Sequence, residues 1–321
     1  MQRDCSLPMN IKTKTPATLL LTLICWAGFN ASTSAQEIRW KFSADDEFSV
    51  TQKQTTDMET LVEKRKSILG SSVEMSGSWK ITAVENDLAL IDQTIESIKV
   101  NIDNPADNTK SVAIDTASET RPAKNSRELL KQLKPLVGLV FKLKMNPRGE
   151  VLSVDVPDET RTRLDAIPQD SWLKALLDPN RLQGQIQSAS LSLPESTLKE
   201  GQSVIIEPTA NSATVTAAPL GKRKMTYTGQ KNVDGTQLDF FSLSTDEKFD
   251  ATKAIPPGET KTNSQPEVAT FEWDGELRFD RDAGHCAGCV QQTTITTKHS
   301  HRDMQISSTV IVEAVFKLER K

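Results

Sequence analysis

The sequence predicts a mainly β protein with minor α content. The expected architecture is one large antiparallel curved sheet, a half-barrel or a sandwich, with short helices packed on it. Three observations predict this: apolar and polar residues alternate with period two in long runs, turn-forming residues punctuate those runs, and only two stretches keep helical spacing.

The clearest alternation is "QISSTVIVEAVFKL" (305–318), where Ile306, Val310, Val312, Ala314, Phe316 and Leu318 share a face with Ser308. At about 3.3 Å per residue this strand could reach about 45 Å, long enough to imply a strongly twisted or barrel-like sheet. "TFEWDGELRFD" (270–280) repeats the pattern, with Phe271, Trp273, Leu277 and Phe279 opposite Glu272, Asp274, Glu276 and Arg278. In "LALIDQTIESIKVNI" (88–102) the apolar phase slips between Ile95 and Ile98, the mark of a β-bulge. The predicted core contains Phe316, Val312, Val310, Phe279, Trp273, Leu277, Leu143, Ile98 and Val100.

Hairpin turns are expected at "END" (85–87), "NPRG" (146–149) and "VDG" (233–235), each between β-forming runs. One helix is expected over 126–137, with Asn125 and Glu128 as a capping box and Leu129, Leu130, Leu133, Leu136 and Val137 at helical spacing. A second is expected over 171–177, capped by Asp170 and stopped by Pro179, with "RTRLDAI" (161–167) as a helical turn before it.

Residues 1–35 read as a secretory signal. Arg3, Lys12 and Lys14 are positive, "ATLLLTLICWAGF" (17–29) is apolar but too short to span a bilayer, and "ASTSA" supplies small residues before Gln36. Without this segment, 286 residues remain and the net charge moves from −4 to −6. A mildly acidic chain without a clustered basic face excludes a nucleic-acid partner. No second apolar run approaches membrane length, so the mature chain is expected to be soluble, periplasmic or extracellular, with no transmembrane segment. The order of hairpins and polar linkers (104–124 and 251–267) repeats weakly. Residues 36–168 and 169–321 therefore read as two β pseudo-repeats of one continuous domain.

Several of these segments carry a resemblance. "IRWKFSADDEFSVTQKQ", "GSWKITAVENDLALIDQTIESIKVNI", "FKLKMNPRGEVLSV", "LPESTLKEGQ" and "GELRFDRDAG" resemble a secreted, planctomycete-type bacterial domain-of-unknown-function family. Where its members tend to carry an aromatic after the "GD/GQ" turn, this chain has "GQSVII". The resemblance implies a shared β-rich envelope fold and no catalytic residues.

The chemistry-bearing motif is "DRDAGHCAGCVQQ" (280–292), with Cys286 and Cys289 after His285. A thioredoxin-type pair needs a helix N-terminus after a parallel strand, and no such pattern surrounds it. Haem attachment needs a histidine where Val290 stands. Zinc needs a fourth ligand, and His299 and His301 lie too far along an extended strand to supply it. The expectation is a disulfide between Cys286 and Cys289 at an exposed hairpin tip, with weak metal binding and redox function as the alternatives. No His-Glu-x-x-His, Gly-x-Ser-x-Gly or phosphate-cradling glycine loop occurs. Asp45/Asp46 and Asp246/Glu247 read as solvated turn acids, and Trp40, Trp79, Trp172 and Trp273 as core. No catalytic residue, cofactor or metal is expected. The leading functional reading is a non-enzymatic envelope protein that holds an apolar ligand or lipid on a curved sheet. The alternatives are an envelope protein–protein interaction module and a thiol–disulfide oxidoreductase.

Overall fold

The computed structural model describes residues 37–62, 65–104, 111–120, 123–167, 182–184, 186–187, 191–206, 223–245, 249–250, 268–301 and 304–321. Among them, thirteen strands form one antiparallel, curved sheet that does not close into a barrel. They are β1 (Glu47–Val62), β2 (Arg65–Glu85), β3 (Leu88–Asp103), β4 (Val112–Asp115), β5 (Val140–Met145), β6 (Val151–Asp155) and β7 (Ser203–Ile206). The rest are β8 (Arg223–Val233), β9 (Thr236–Thr245), β10 (Phe249–Asp250), β11 (Val268–Asp280), β12 (His285–His301) and β13 (Met304–Arg320).

The order across the sheet is β6-β5-β3-β2-β1-β13-β12-β11-β9-β8-β7, with β4 beside β3 and β10 beside β11. Each half is thus a meander of neighbouring strands. The first and last strands meet at the centre, where Phe48 pairs with Arg320 and Val62 with Ile306. The middle of the chain supplies both edges, β6 and β7.

Local chemistry sets this register. Asn86 and Asp87 (φ 51° and 63°) join β2 to β3, and Asp234 and Gly235 (φ 51° and 89°) join β8 to β9. Two-residue hairpin turns that match strand twist need positive φ at both positions, which Asn, Asp and Gly tolerate best. The expected bulge is present: Ser76 pairs with Ser97 but Gly77 with Ile95, leaving Glu96 as the extra residue. Both Ile95 and Ile98 therefore reach the core. Only glycine fits at 77, because a Cβ there would lie 2.1 Å from the Thr94 carbonyl oxygen.

On the core side, a 3₁₀ turn (Lys124–Ser126), α1 (Arg127–Leu133), a second 3₁₀ turn (Lys134–Leu136) and α2 (Asp158–Asp165) bury Leu133, Leu136 and Leu164 with Trp79, Ile91, Phe141 and Leu143. The expected helix over 126–137 is this first helical run. Its capping box is not formed: Ser126 is the N-cap of α1 without a side-chain cap bond, and Asn125 donates instead to the Ser111 carbonyl. The helical turn expected at 161–167 begins earlier, at Asp158, with Asp158 and Glu159 in its first turn. Acidic residues there suit the positive end of the helix dipole. The helix expected at 171–177, with Trp172, lies outside the described residues.

A lead-in segment before β1 ties two hairpin turns together. The Trp40 amide donates to the Pro147 carbonyl and the Lys41 amide to the Gly284 carbonyl, both at 2.8 Å. Gly149 sits against the Trp40 indole, where a Cβ would be 2.4 Å from Nε1. Trp40, Trp79 and Trp273 are buried, as the sequence predicts.

Candidate functional site

The strands at the centre of the sheet outrun the helices among the described residues. Residues paired directly across antiparallel strands project to the same face. The pairing therefore defines rows on the core side. Phe316, on that side, pairs with Gln52 and Cys289 and is 1% exposed. Six residues earlier on the same face, Val310 is only half-buried, as is Val312 between them. Alternation predicts both in the core. They lie on the predicted face, but no helix among the described residues packs over them.

The row through Val310 is apolar throughout. Leu69 pairs with Met58, Met58 with Val310, Val310 with Ile295 and Ile295 with Phe271. It crosses β2, β1, β13, β12 and β11, about 20 Å at normal strand spacing. The rows on either side are rich in hydroxyls: Ser71, Thr56 and Thr293 on one, Ser67, Thr60, Ser308 and Thr297 on the other. The result is an apolar track transverse to the strands. The opposite face of the same strands is mixed, with the ion pairs Lys66–Glu59 (2.7 Å) and Lys99–Glu74 (3.1 Å) beside the exposed apolar residues Leu61, Ile68 and Ile311.

At the β11 end, the next row holds Trp273, two residues from Phe271. The Trp273 indole N–H donates to Gln291 Oε1 at 3.0 Å, and the Arg223 guanidinium lies 4.7 Å from the ring centroid. Arg223 is absent from the residues that motif and spacing single out. A signal for it exists all the same: in "RKMTY" (223–227) Arg223, Met225 and Tyr227 alternate inward, which places a cation on the core face.

The cysteines are not at a tip. The turn between β11 and β12 is residues 281–284, and Cys286 and Cys289 lie within β12, each 1% exposed rather than at the surface. The pairing shifts there: Arg278 faces Gly288 and Phe279 faces Cys286, so Ala287 is the extra residue and both thiols reach the core. No bond joins the two sulfurs in this structure. Burial pushes Cys286 well up and Cys289 up to about 12, although Gln291 Nε2 donates to Cys289 Sγ at 3.3 Å. A redox nucleophile needs the opposite shift.

His285 packs against Phe48, ring centroids 5.4 Å apart, and burial pulls its pKa down. His299 and His301 fall at the far end of β12, paired with Ile306 and Met304. Asp45 and Asp46 lie in the turn before β1, where Asp46 pairs with Arg320; Asp246 and Glu247 lie outside the described residues. Among the described residues, no cluster of three His, Cys, Asp or Glu side chains could hold a metal, and no helix is long and apolar enough to cross a membrane.

One buried ion pair braces the turn before His285. Arg281 donates to Asp239 through Nε (2.8 Å to Oδ2) and Nη2 (2.5 Å to Oδ1), and the Tyr227 hydroxyl donates to the same carboxylate at 2.7 Å. Asp239 is fully buried, and burial with this bond pushes Tyr227 up to about 12. This network fastens the β11–β12 turn to β8 and β9.

No protein-family model matches the chain, and no curated protein matches it. Among solved structures it is similar to lipovitellin, in a study of lipid–protein interactions, at 8% identity and TM-score 0.43. That match covers 88% of this chain but 25% of lipovitellin, so the chain spans about a quarter of that protein. It is also similar to an outer membrane channel from Pseudomonas putida F1 (7% identity, 87% of this chain and 97% of that one, TM-score 0.22). A third is a DUF1329 family protein from Desulfovibrio piger ATCC 29098 (8% identity, 87% of each chain, TM-score 0.11). Likenesses this loose do not bear on function, which has to be read from the chain's own residues.

Proposed function

We propose that the chain is an exported, non-enzymatic envelope protein that holds a lipid or other apolar ligand along the half-buried row Leu69–Met58–Val310–Ile295, which ends against buried Phe271. The observation that carries this reading is the half-buried apolar row Leu69–Met58–Val310–Ile295, over which no described helix packs. From Leu69 to Ile295 the row spans about 14 Å at normal strand spacing, comparable to the roughly 15 Å spanned by the chains of one bilayer leaflet, half of a hydrocarbon core of about 30 Å. Water on such a row is released when acyl chains cover it, at about 25 cal/mol per Å². The site is an open face: the core beside it is filled, and the cavity between Gln52, Met75 and Gln93 is only about 10 Å³, room for one water.

Export through residues 1–35, the two pseudo-repeats 36–168 and 169–321, and kinship with the planctomycete-type family belong to the same proposal. So does a Cys286–Cys289 bridge, which an oxidising compartment would favour and which an exported protein two hydrogens lighter than its dithiol form would reveal. The testing experiment is native mass spectrometry of the protein purified from its own envelope. Adducts in the lipid mass range are expected, and they should fall sharply in Val310→Asp. A bare protein mass overturns the reading.

The filled core and the exposed apolar residues Leu152 and Ile205 on the two edge strands favour a second reading, an interaction module for another envelope protein. Against strand addition at β6, side chains already occupy the Val151 backbone: its amide donates to Gln187 Oε1, and its carbonyl accepts from Gln183 Nε2, both at 2.7 Å. Edges blunted in this way resist pairing with a foreign strand.

A further inference from the structure

One end of the sheet carries apolar and cationic side chains together on its surface. The β1–β2 and β12–β13 hairpins lie side by side there, with Val62 paired to Ile306 and Leu61 to Ser307. Among the described residues β3 stops at Asp103, opposite Gly70, so residues 65–69 of β2 run on beyond it. On the face away from the core, the outermost paired row reads Lys66–Leu61–Ser307–Lys298. Both lysines are exposed, and so is Leu61 at 41%. The next two rows add Ile68 and Ile311, 46% and 37% exposed. On the core-side face the outermost row sets exposed Arg65 beside half-buried Val62 and Ile306.

Single exposed apolar residues are ordinary, whereas a group of them marks an interaction surface. Leu61, Ile68 and Ile311 lie within about 15 Å of one another at normal strand geometry. Charge says what kind of surface they meet. Arg65, Lys66 and Lys298, less Glu59 (2.7 Å from Lys66), leave the two outermost rows at +2, in a chain of net −4. Residues 63–64 and 302–303, which link these strands, add no net charge (Glu63, Lys64, Arg302 and Asp303). Asp57 lies one row further in, level with Ile311. Cations with aliphatic stems beside apolar side chains suit the boundary of an anionic bilayer, where the stems enter the headgroup layer and the charges stay with the phosphates. The cations and apolar residues stand on both faces of this end. A protein partner docks on one face, but a fluid headgroup layer surrounds both.

We infer that this end of the sheet docks onto a membrane surface of anionic phospholipid. Leu61, Val62 and Ile306 enter the headgroup layer, and Arg65, Lys66 and Lys298 meet its phosphates. The docking does not rest on the ligand row described above, whose Met58 is four residues from Val62, about 13 Å behind the membrane end.

The test is co-sedimentation of the mature chain with phosphatidylcholine vesicles, with and without phosphatidylglycerol, at low and at high salt. Binding should require phosphatidylglycerol and fall as salt screens the anionic surface. Each cation near such a surface contributes about fivefold, so Arg65→Gln/Lys66→Gln/Lys298→Gln should bind on the order of a hundredfold more weakly. Lys124→Gln/Lys131→Gln/Lys199→Gln removes three exposed cations elsewhere and should bind like the unaltered chain. Leu61→Ser should weaken binding at both salt levels, the mark of apolar insertion. All the substituted residues are exposed, and an unchanged melting temperature should show that each variant folds. Failure to bind, binding that ignores phosphatidylglycerol, or equal loss in the two triple variants overturns the inference. So does a vesicle-free dimer that Leu61→Ser dissociates, which would give the face to a second copy. A chain that docks but carries no lipid adduct keeps this inference and loses the ligand reading.

Discussion

Truncating two residues on one face of β13 should reveal where the sheet's cover ends. Phe316 is 1% exposed, lies 5.8 Å from the Trp79 ring centroid and pairs with Gln52 and Cys289. Phe316→Ala removes the aromatic ring from a filled core and leaves a cavity, so the expected loss is about 3–5 kcal/mol. Val310 shares the face, but only Met58 and Ile295 flank it across the strands. Val310→Ala deletes two methyl groups that are only partly buried, and at about 0.8 kcal/mol per fully buried carbon the loss should stay below about 1.6 kcal/mol. Urea unfolding followed by tryptophan fluorescence gives both numbers, with the denaturant slope checked for constancy. A Phe316→Ala loss under about 1 kcal/mol would mean that the faces of β13 are reversed. Equal losses at the two sites would mean that the track is covered, and the proposed ligand surface would not exist.

The same packing sets the other outcomes. Asp239→Asn should cost roughly 3–5 kcal/mol in the same assay, because Arg281 is left as a mostly buried charge without its counter-ion. His285 has a folded pKa below its usual value through burial, so the unfolded chain binds the extra proton first. Stability should therefore fall as pH drops below about 6.5, and His285→Phe should flatten that part of a melting-temperature profile. Gly77→Ala should shift the β2–β3 register or unfold the protein, since its Cβ would strike the Thr94 carbonyl; hydrogen exchange at the Ile95 amide reads the change. In the reduced protein both thiols should resist alkylation at pH 8 until denaturant is added, and a midpoint near 6 would restore the redox reading.

Period two and turn chemistry are local properties, and the features that depend on them are legible in the chain itself. The slip between Ile95 and Ile98, the turns at Asn86–Asp87 and Asp234–Gly235, and the inward face of β13 are all of this kind. What lies over a face is decided by distant segments. Alternation therefore marks Val310 and Val312 correctly as apolar-side residues yet cannot tell that the described helices stop short of them. The cysteines are misplaced for a related reason: the bulge at Ala287 leaves no mark in a stretch of Gly, Ala and Cys, where apolar phase is invisible. Asn125 has the spacing of a cap, but its side chain is drawn to Ser111, fourteen residues away, beside the 3₁₀ turn that starts the helix early. Arg223 is the candidate-site residue that motif and spacing miss, and strict alternation applied to a charged position would find it.

The pairing of the first strand with the last has a bearing on how the chain is made. Local hairpins can zip each meander quickly, but the β1–β13 seam joins Phe48 to Arg320 and must wait for a long loop to close. Until then β1, sixteen residues long, is a bare strand at the edge of the first half. A chain halted before Met304 would hold that edge open indefinitely, and the β13 of a second copy could fill it as well as its own. Slow delivery, or a nick near the C-terminus, should thus favour strand-exchanged multimers over monomers. The last strand to appear is the one that seals the middle of the sheet.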